Sequence, residues 1–281
     1  MKTILVPTDF SEAANNAAEY AIKLAKEIKA KVVLLHVYHS SVPPIEAPIL
    51  VPSYAELQKE KERLLHKKSS QLKKNTHVEI SYKAKLGMAI EEILEEEKSA
   101  DMIIMGMRKV GKLSEYILGS ITTAILGKTT IPVLIVPENA KFKIPKKIAF
   151  ACDYNPGTNY KTLESLNELI TAFKSKLFVV NVKNKQEMVS VEEAGAGLRL
   201  EHQISDINHI YNYTENENLV EGIDNFVKGK KADMLAVIPH RHNLLERLFH
   251  KSISKTIAFH TDIPLFALPD NHKSMAAYLL S

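Results

Sequence analysis

The strongest constraint on this chain is that its pattern of apolar runs occurs twice. Lys2-Thr-Ile-Leu-Val-Pro-Thr-Asp9 is echoed by Lys147-Ile-Ala-Phe-Ala-Cys-Asp153, and Val33-Leu-Leu-His-Val37 by Leu177-Phe-Val-Val-Asn-Val182. Ala100-Asp-Met-Ile-Ile-Met105 returns as Ala232-Asp-Met-Leu-Ala-Val237, and Ile131-Pro-Val-Leu-Ile-Val-Pro137 as Ile263-Pro-Leu-Phe-Ala-Leu-Pro269. Four runs matched in order mark an internal duplication. Each run is too short for a helix and rich in branched residues, as expected of strands buried on both faces. The boundary falls near Asn139 to Lys143, giving expected domains 1–140 and 141–281.

Between the strands the periodicity changes to that of helices. Ser11 can cap a helix from Glu12 to about Lys29, whose Ala14, Ala17, Ala18, Ala21 and Ala25 make a small-residue packing stripe. Ser41 to Ser53 carries Pro43, Pro44, Pro48 and Pro52 and reads as a surface loop. A charged helix over 54–74 follows, then a strand over 77–85, a helix over 88–98, a strand over 101–105 and a strand over 132–137. This βαβα alternation calls for a mostly parallel sheet covered by helices.

The stretch with the most chemistry runs from Gly106 through Arg108, Lys109, Gly111 and Lys112 to Gly119-Ser120. A strand entering a glycine-punctuated loop and then a helix N-terminus offers backbone N–H groups to an anion. Gly106-x4-Gly111-Lys112 approaches a P-loop, but Leu113 stands where Ser or Thr would ligate Mg²⁺. Aligning the copies puts Ile238, Arg241 and Lys251 where Gly106, Lys109 and Gly119 stand, so the second copy has lost the loop.

Strand, aspartate, a strand ending His-Val, glycine loop, Gly-Ser and Ile-Pro-Val-Leu-Ile-Val-Pro together resemble the universal stress protein family in tandem form, over essentially the whole chain. The resemblance implies an α/β architecture of two tandem Rossmann-like domains, each a five-stranded mostly parallel sheet with helices on both faces. It also implies ATP or another adenine nucleotide, with Mg²⁺ as an optional companion, bound through the pattern Gly-x2-Gly-x9-Gly-Ser. Here Gly106, Gly119 and Ser120 match, and Lys109 replaces the second glycine. By this resemblance Asp9 and the backbone of Val37, with Pro7 and Thr8 alongside, would hold the adenosine. Gly106, Gly119, Ser120 and the Ile121 N–H would hold the phosphates. Arg108 and Lys109 either add charge-assisted contacts to phosphate or are solvated basic side chains. The family pattern further implies an intrachain pseudo-dimer of the two copies, room for a homodimer, and an unidentified protein partner.

The remaining features point elsewhere. A net charge of +4 spread over 281 residues is not a nucleic-acid footprint. The lone Cys152 allows no disulfide framework and reads as a buried inert thiol. No apolar run reaches membrane-spanning length, so a cytoplasmic protein without nucleic-acid or membrane partners is expected. His240-Arg-His242 reads as a basic surface loop rather than a metal site, and His36 as a core histidine with a backbone partner. Met275 to Leu280 reads as a short docking helix. No nucleophile has a His and Asp arranged around it, so no catalytic residue is assigned. Three function classes stay open: a nucleotide-binding stress or regulatory protein, a slow ATPase of the same fold, and a nucleotide-independent interaction scaffold.

Overall fold

A computed structural model describes residues 1–39, 54–74, 76–110, 115–183, 190–239 and 262–269. The proline-rich loop, Gly111, Lys112, the His240–His242 cluster, Arg241, Lys251 and the C-terminal tail lie outside these residues. In the first half the order is β1 (Thr3–Pro7), α1 (Glu12–Ile28), β2 (Lys31–Tyr38), α2 (Tyr54–Lys73), β3 (Ile80–Leu86), α3 (Ala89–Glu96), β4 (Met102–Val110), β5 (Glu115–Ile117), α4 (Ser120–Leu126) and β6 (Val133–Pro137). The second half has β7 (Lys147–Ala151), α5 (Glu164–Phe173), β8 (Lys176–Lys183), α6 (Val191–Ile204), β9 (His209–Glu215), α7 (Leu219–Lys230), β10 (Met234–Val237) and β11 (Leu265–Ala267).

The strands join in one sheet of order β3-β2-β1-β4-β6-β11-β10-β7-β8-β9, with β5 paired to β4 alone. Pairing within each half is parallel along this path. The halves meet where β6 and β11 run antiparallel, with Leu265 opposite Ile135, Phe266 opposite Leu134 and Ala267 opposite Val133. Strand alternation then sends Leu134 and Phe266 to one face and Val133, Ile135, Leu265 and Ala267 to the other. Both apolar layers therefore run across the seam without a break. One layer packs under α1, α2, α5 and α6, and the other under α3, α4 and α7. Among the described residues no helix is long and apolar enough to cross a membrane.

Local chemistry explains several elements. Ser11 Oγ accepts from the Ala14 N–H at 3.3 Å and starts α1, and Lys29 in the left-handed region ends it. The duplicated Ala-Asp-Met is a staple. Asp101 accepts from the Lys2 and Thr3 N–H groups at 2.7 and 2.8 Å, and Asp233 accepts from Lys146 and Lys147 at 2.8 and 2.9 Å. Each carboxylate thus pins the entry of its half's first strand. The link between the halves is fixed as well. Asn16 on α1 donates to the carbonyls of Pro137 and Ala140, both at 2.9 Å, and Lys143 Nζ lies 2.6 Å from Asp233. Tyr20 meets Phe142 edge to face.

Two strand bounds differ most from the expectation. The third strand starts at Ile80 rather than His77, because its ladder with β2 begins at Ile80 opposite Val32. The fourth strand does not end at Met105. It runs on to Val110, since β6 pairs with it up to Met107 and β5 pairs with Arg108 to Val110.

Two outcomes follow. Phe266 is fully buried at the seam, so Phe266→Ala should cost about 3–5 kcal/mol in chemical denaturation. The transition should stay single, because both layers are shared; two separate transitions would contradict the continuous core. For Asp101, burial alone would raise the pKa, but the Lys2 and Thr3 amides and the nearby N-terminal and Lys2 charges outweigh it and lower it. Burial also acts upward on Asp233, and the Lys143 ammonium with the Lys147 and Lys146 amides reverses it. A depressed folded pKa means stability that is present above the unfolded value, near pH 4, and lost as pH falls through the folded one. Asp101→Asn should therefore flatten the acid limb of a stability-versus-pH curve, and an unchanged limb would show that the staple carries no such linkage.

Candidate functional site

The strand order reverses between β1 and β4, and both strands end at the same side of the sheet, which opens a crevice where α/β sheets receive ligands. Pro7 closes β1, and Thr8 continues it by donating its N–H to the Leu35 carbonyl at 2.8 Å. Asp9 then turns the chain into α1, its carboxylate accepting from the Ser11 N–H at 2.9 Å. Burial acts to raise the Asp9 pKa, but hydrogen bonds from Ser11 and from its own amide, with the Arg108 guanidinium, bring it below the usual value. At neutral pH Asp9 is an exposed, acceptor-only carboxylate.

Phe10 holds the turn in a left-handed conformation, φ 63°, which disfavours a bulky side chain. Three contacts fix it. Its N–H donates to Thr8 Oγ1 at 3.1 Å, its carbonyl accepts from Asn15 Nδ2 at 2.9 Å, and its ring packs 4.6 Å from that of His36. His36 Nδ1 lies 2.8 Å from the Thr8 carbonyl oxygen, which can only accept. His36 therefore carries its proton on Nδ1, and it is the backbone-partnered histidine the sequence suggested. Val37 is half-buried beside it at the end of β2.

Gly106 does something other than open a loop. It lies inside β4, opposite Val136, and a Cβ placed on it would sit 2.3 Å from the Ala13 carbonyl oxygen. The missing side chain lets the first turn of α1 close onto the sheet, which keeps the Asp9 turn short. Beyond Gly106, the segment expected to be an open loop is a β-ribbon, with Arg108 opposite Ile117 and Lys109 opposite Tyr116. Met107 and Lys109 turn their backbone groups toward β6. The Met107 carbonyl accepts from the Glu138 N–H at 2.9 Å, and the Lys109 N–H donates to Glu138 Oε2 at 3.3 Å. The ladder with β5 therefore uses the opposite edge of β4, the edge facing β1 and Asp9. The ribbon returns the chain to Gly119, which precedes α4 in an extended conformation with no side-chain cap. Ser120 and Ile121 are exposed in the first turn. The buried Glu97 anchors the far end of α4 by accepting from the Thr129 and Thr130 hydroxyls at 2.6 and 3.1 Å.

The second half keeps the corner: Tyr154 is left-handed at φ 50°, its N–H donates to Cys152 Sγ at 3.4 Å, and the Asn155 N–H donates to Asp153 Oδ1 at 3.2 Å. Register places Ile148 and Met234 as Ile4 and Met102 stand in the first half, so Ile238 occupies the place of Gly106. Ile238 is buried at that position. After Asp153 the chain makes a longer turn through Pro156 and Gly157, closed by Arg199 donating to the Pro156 carbonyl at 2.7 Å. The helix then begins late, as a 3₁₀ turn over Tyr160–Leu163 capped by Asn159. Asn181 replaces His36 and keeps its contact, donating to the Cys152 carbonyl at 2.8 Å. Cys152 is buried with its thiol 3.7 Å from the Tyr160 hydroxyl, and burial pushes its pKa up to about 12. This is the inert thiol expected from the sequence.

Glu138 and Asn16 escaped the sequence reading. The one signal for Glu138 was the repetition of Pro137-Glu138 as Pro269-Asp270. The two glycines should separate cleanly in thermal unfolding. Gly106→Ala forces Cβ against the α1 backbone and should cost about 1–3 kcal/mol or more. Gly119→Val, with nothing within 4 Å of its Cβ, should stay within about 0.5 kcal/mol of the parent. Equal losses would show that Gly106 is not a packing position.

Comparison with known proteins places this architecture. Residues 1–137 match the Universal stress protein family. A universal stress protein of Methanocaldococcus jannaschii is 33% identical over 145 residues, spanning 50% of this chain and 84% of that one. Universal stress protein YxiE of Bacillus subtilis is 31% identical over 145 residues, spanning 47% of this chain and 97% of its own length. The crystal structure of a universal stress protein from Archaeoglobus fulgidus superposes over 96% of this chain and 98% of its own with a TM-score of 0.74 at 17% identity, a likeness of fold across both halves. With a Rossmann-like α/β sheet and a first half that matches the family over residues 1–137, this chain belongs to the universal stress protein family.

Proposed function

We propose that the chain is a two-domain universal stress protein, divided at about residue 140, whose first domain holds an adenine nucleotide and uses it in a regulatory or stress-response role. One observation supports this reading: Asp9 at the end of β1 presents an ionised carboxylate where the strand order reverses between β1 and β4, with Val37 near the end of the neighbouring β2. Such an acceptor suits the paired hydroxyls of a ribose. The exposed start of α4 and the basic Arg108 and Lys109 suit the phosphates.

The second domain takes a scaffold role in this reading. Ile238 fills the position of Gly106, and a longer turn through Pro156 and Gly157 separates the Asp153 corner from the helix that follows it. An adenine nucleotide would accordingly bind once per chain. The pseudo-dimer seam between β6 and β11 fixes the scaffold against the binding domain. A protein partner would then read the nucleotide state from a rigid two-domain body.

Calorimetric titration with adenosine, AMP, ADP and ATP, with and without Mg²⁺, tests the reading. At least one of them should bind with a stoichiometry near one per chain. Asp9→Ala should weaken that binding by about tenfold or more, the scale of a lost charged hydrogen bond. Gly119→Val should remove the advantage of nucleotide over nucleoside while leaving the fold intact. No heat and no thermal shift at millimolar ligand would overturn the proposal in favour of a nucleotide-independent scaffold.

A further inference from the structure

The two outer edges of the sheet are unlike. β3 closes one side and carries Lys83 and Lys85, charges of the kind that keep a strand edge from pairing with another chain. β9 closes the other side, and its His209-Ile-Tyr-Asn-Tyr-Thr-Glu215 has no lysine, arginine or proline. The Asn208 carbonyl accepts from the Leu177 N–H at 2.9 Å, and the Asn216 N–H donates to the Lys183 carbonyl at 3.1 Å. Even-numbered residues of this segment therefore turn their backbone groups toward β8. The N–H and C=O groups of His209, Tyr211, Tyr213 and Glu215 point outward, and nothing among the described residues bonds to them.

An apolar stripe overhangs this open edge. Glu201 on α6 reaches β9, accepting from the Tyr211 hydroxyl at 2.6 Å and lying 3.2 Å from His209 Nε2. Gln203 and Arg199 lie on the opposite flank of the helix, against Asn167 of α5 and the Pro156 turn. Helical spacing then puts Ala194 and Leu198 on the Glu201 flank, above the edge, with Val191 beyond them. Leu198 is 74% exposed and Val191 86%. Tyr213 continues the patch on the same face of β9, 70% exposed, its ring 6.5 Å from that of Tyr154. Tyr154 also lies 3.8 Å from where a Cβ on Gly197 would stand, so Leu198 comes level with Asn212 and Tyr213 in the middle of β9.

We infer that β9 is the docking edge for a second copy of this chain, paired antiparallel about a two-fold axis through Asn212. Full overlap of the seven residues sets the register. His209 then stands opposite the partner's Glu215, Tyr211 opposite the partner's Tyr213, Ile210 opposite the partner's Thr214, and Asn212 opposite its own copy. The first two pairs are formed by the outward-facing residues and exchange N–H···O bonds. They set an acid against a basic ring, and one aromatic ring against another, both favourable cross-strand matches. An axis normal to the sheet keeps both α6 helices on one face. They stand two strand spacings apart, about 10 Å, a distance at which helices pack, and the two Leu198 side chains meet near the axis. Such an interface is isologous, so assembly stops at two copies. It owes nothing to the nucleotide reading.

Sedimentation equilibrium of the full chain, from about 1 to about 100 µM, should show a monomer–dimer equilibrium that ends at the dimer. Leu198→Glu alters an exposed position, so it should leave thermal unfolding as it is while weakening the dimer about tenfold or more. Tyr213→Pro should also weaken it, because the lost N–H points outward, where an edge strand tolerates proline. Cross-linking reads the register. Cys152 is the one cysteine of the chain and is buried, which leaves an introduced thiol as the reactive one. In Asn212→Cys, two copies treated with diamide should join through a disulfide, the two thiols being oxidised as diamide is reduced. Ile210→Cys, which faces the partner's Thr214, should give about a tenth of that yield or less. A chain that stays monomeric, a mass that keeps growing with concentration, a dimer that survives Leu198→Glu, or equal yields from the two cysteine variants would overturn the inference.

Discussion

The structure depends first on how closely α1 can approach β4. At Gly106 the helix backbone occupies the space where any side chain would begin. That contact lets α1 begin at Glu12, directly after Ser11, and so compresses the link from β1 into Asp9, Phe10 and Ser11. The left-handed Phe10, the His36 proton on Nδ1 and the exposed Asp9 carboxylate all sit at that link. The second half shows the alternative solution. Where Ile238 supplies a side chain, the helix starts late and the turn lengthens, while the corner itself persists at Asp153 and Tyr154. One strand position, glycine in the first half and isoleucine in the second, therefore goes with a helix that starts at once in one half and late in the other.

The second constraint is the seam. An isolated five-stranded half would leave β6 or β11 as an open hydrogen-bonding edge, with fully buried residues on both faces. Antiparallel pairing of the two edges satisfies the backbone and joins the two apolar layers in one step. The prolines that bracket these strands in sequence limit the pairing to a few residues, and Asn16, Tyr20 and Lys143 supply side-chain contacts beside it. The two halves are thereby coupled through packing rather than through a flexible linker.

Much of this was legible in the residues. Four duplicated apolar runs announced the strands, their order and the tandem plan, because buried parallel strands leave continuous apolar stretches. Asp9 could be marked from its place at a strand end. The hidden parts share a physical cause, which is that they depend on contacts between distant segments. The sequence shows that Gly106 has no side chain but not which surface approaches it, and the surface is the backbone of α1 rather than open space. Arg108 to Val110 read as loop because their strand partner, Glu115 to Ile117, is short and adjacent to a glycine. Asp101 and Asp233 stood out as repeat markers, while their task of pinning strand entries needed the fold. Glu138 acts on an amide 29 positions away, which no local pattern records.

The central claim is that ligand chemistry belongs to the first half alone. The most direct measurement is residue-resolved NMR of the full chain as an adenine nucleotide is added. The account predicts amide shifts at Asp9, Val37, Gly106, Gly119, Ser120 and Ile121, with Asp153, Val182 and Ile238 unmoved. Shifts at the second set, or at neither set under saturating nucleotide, would contradict it.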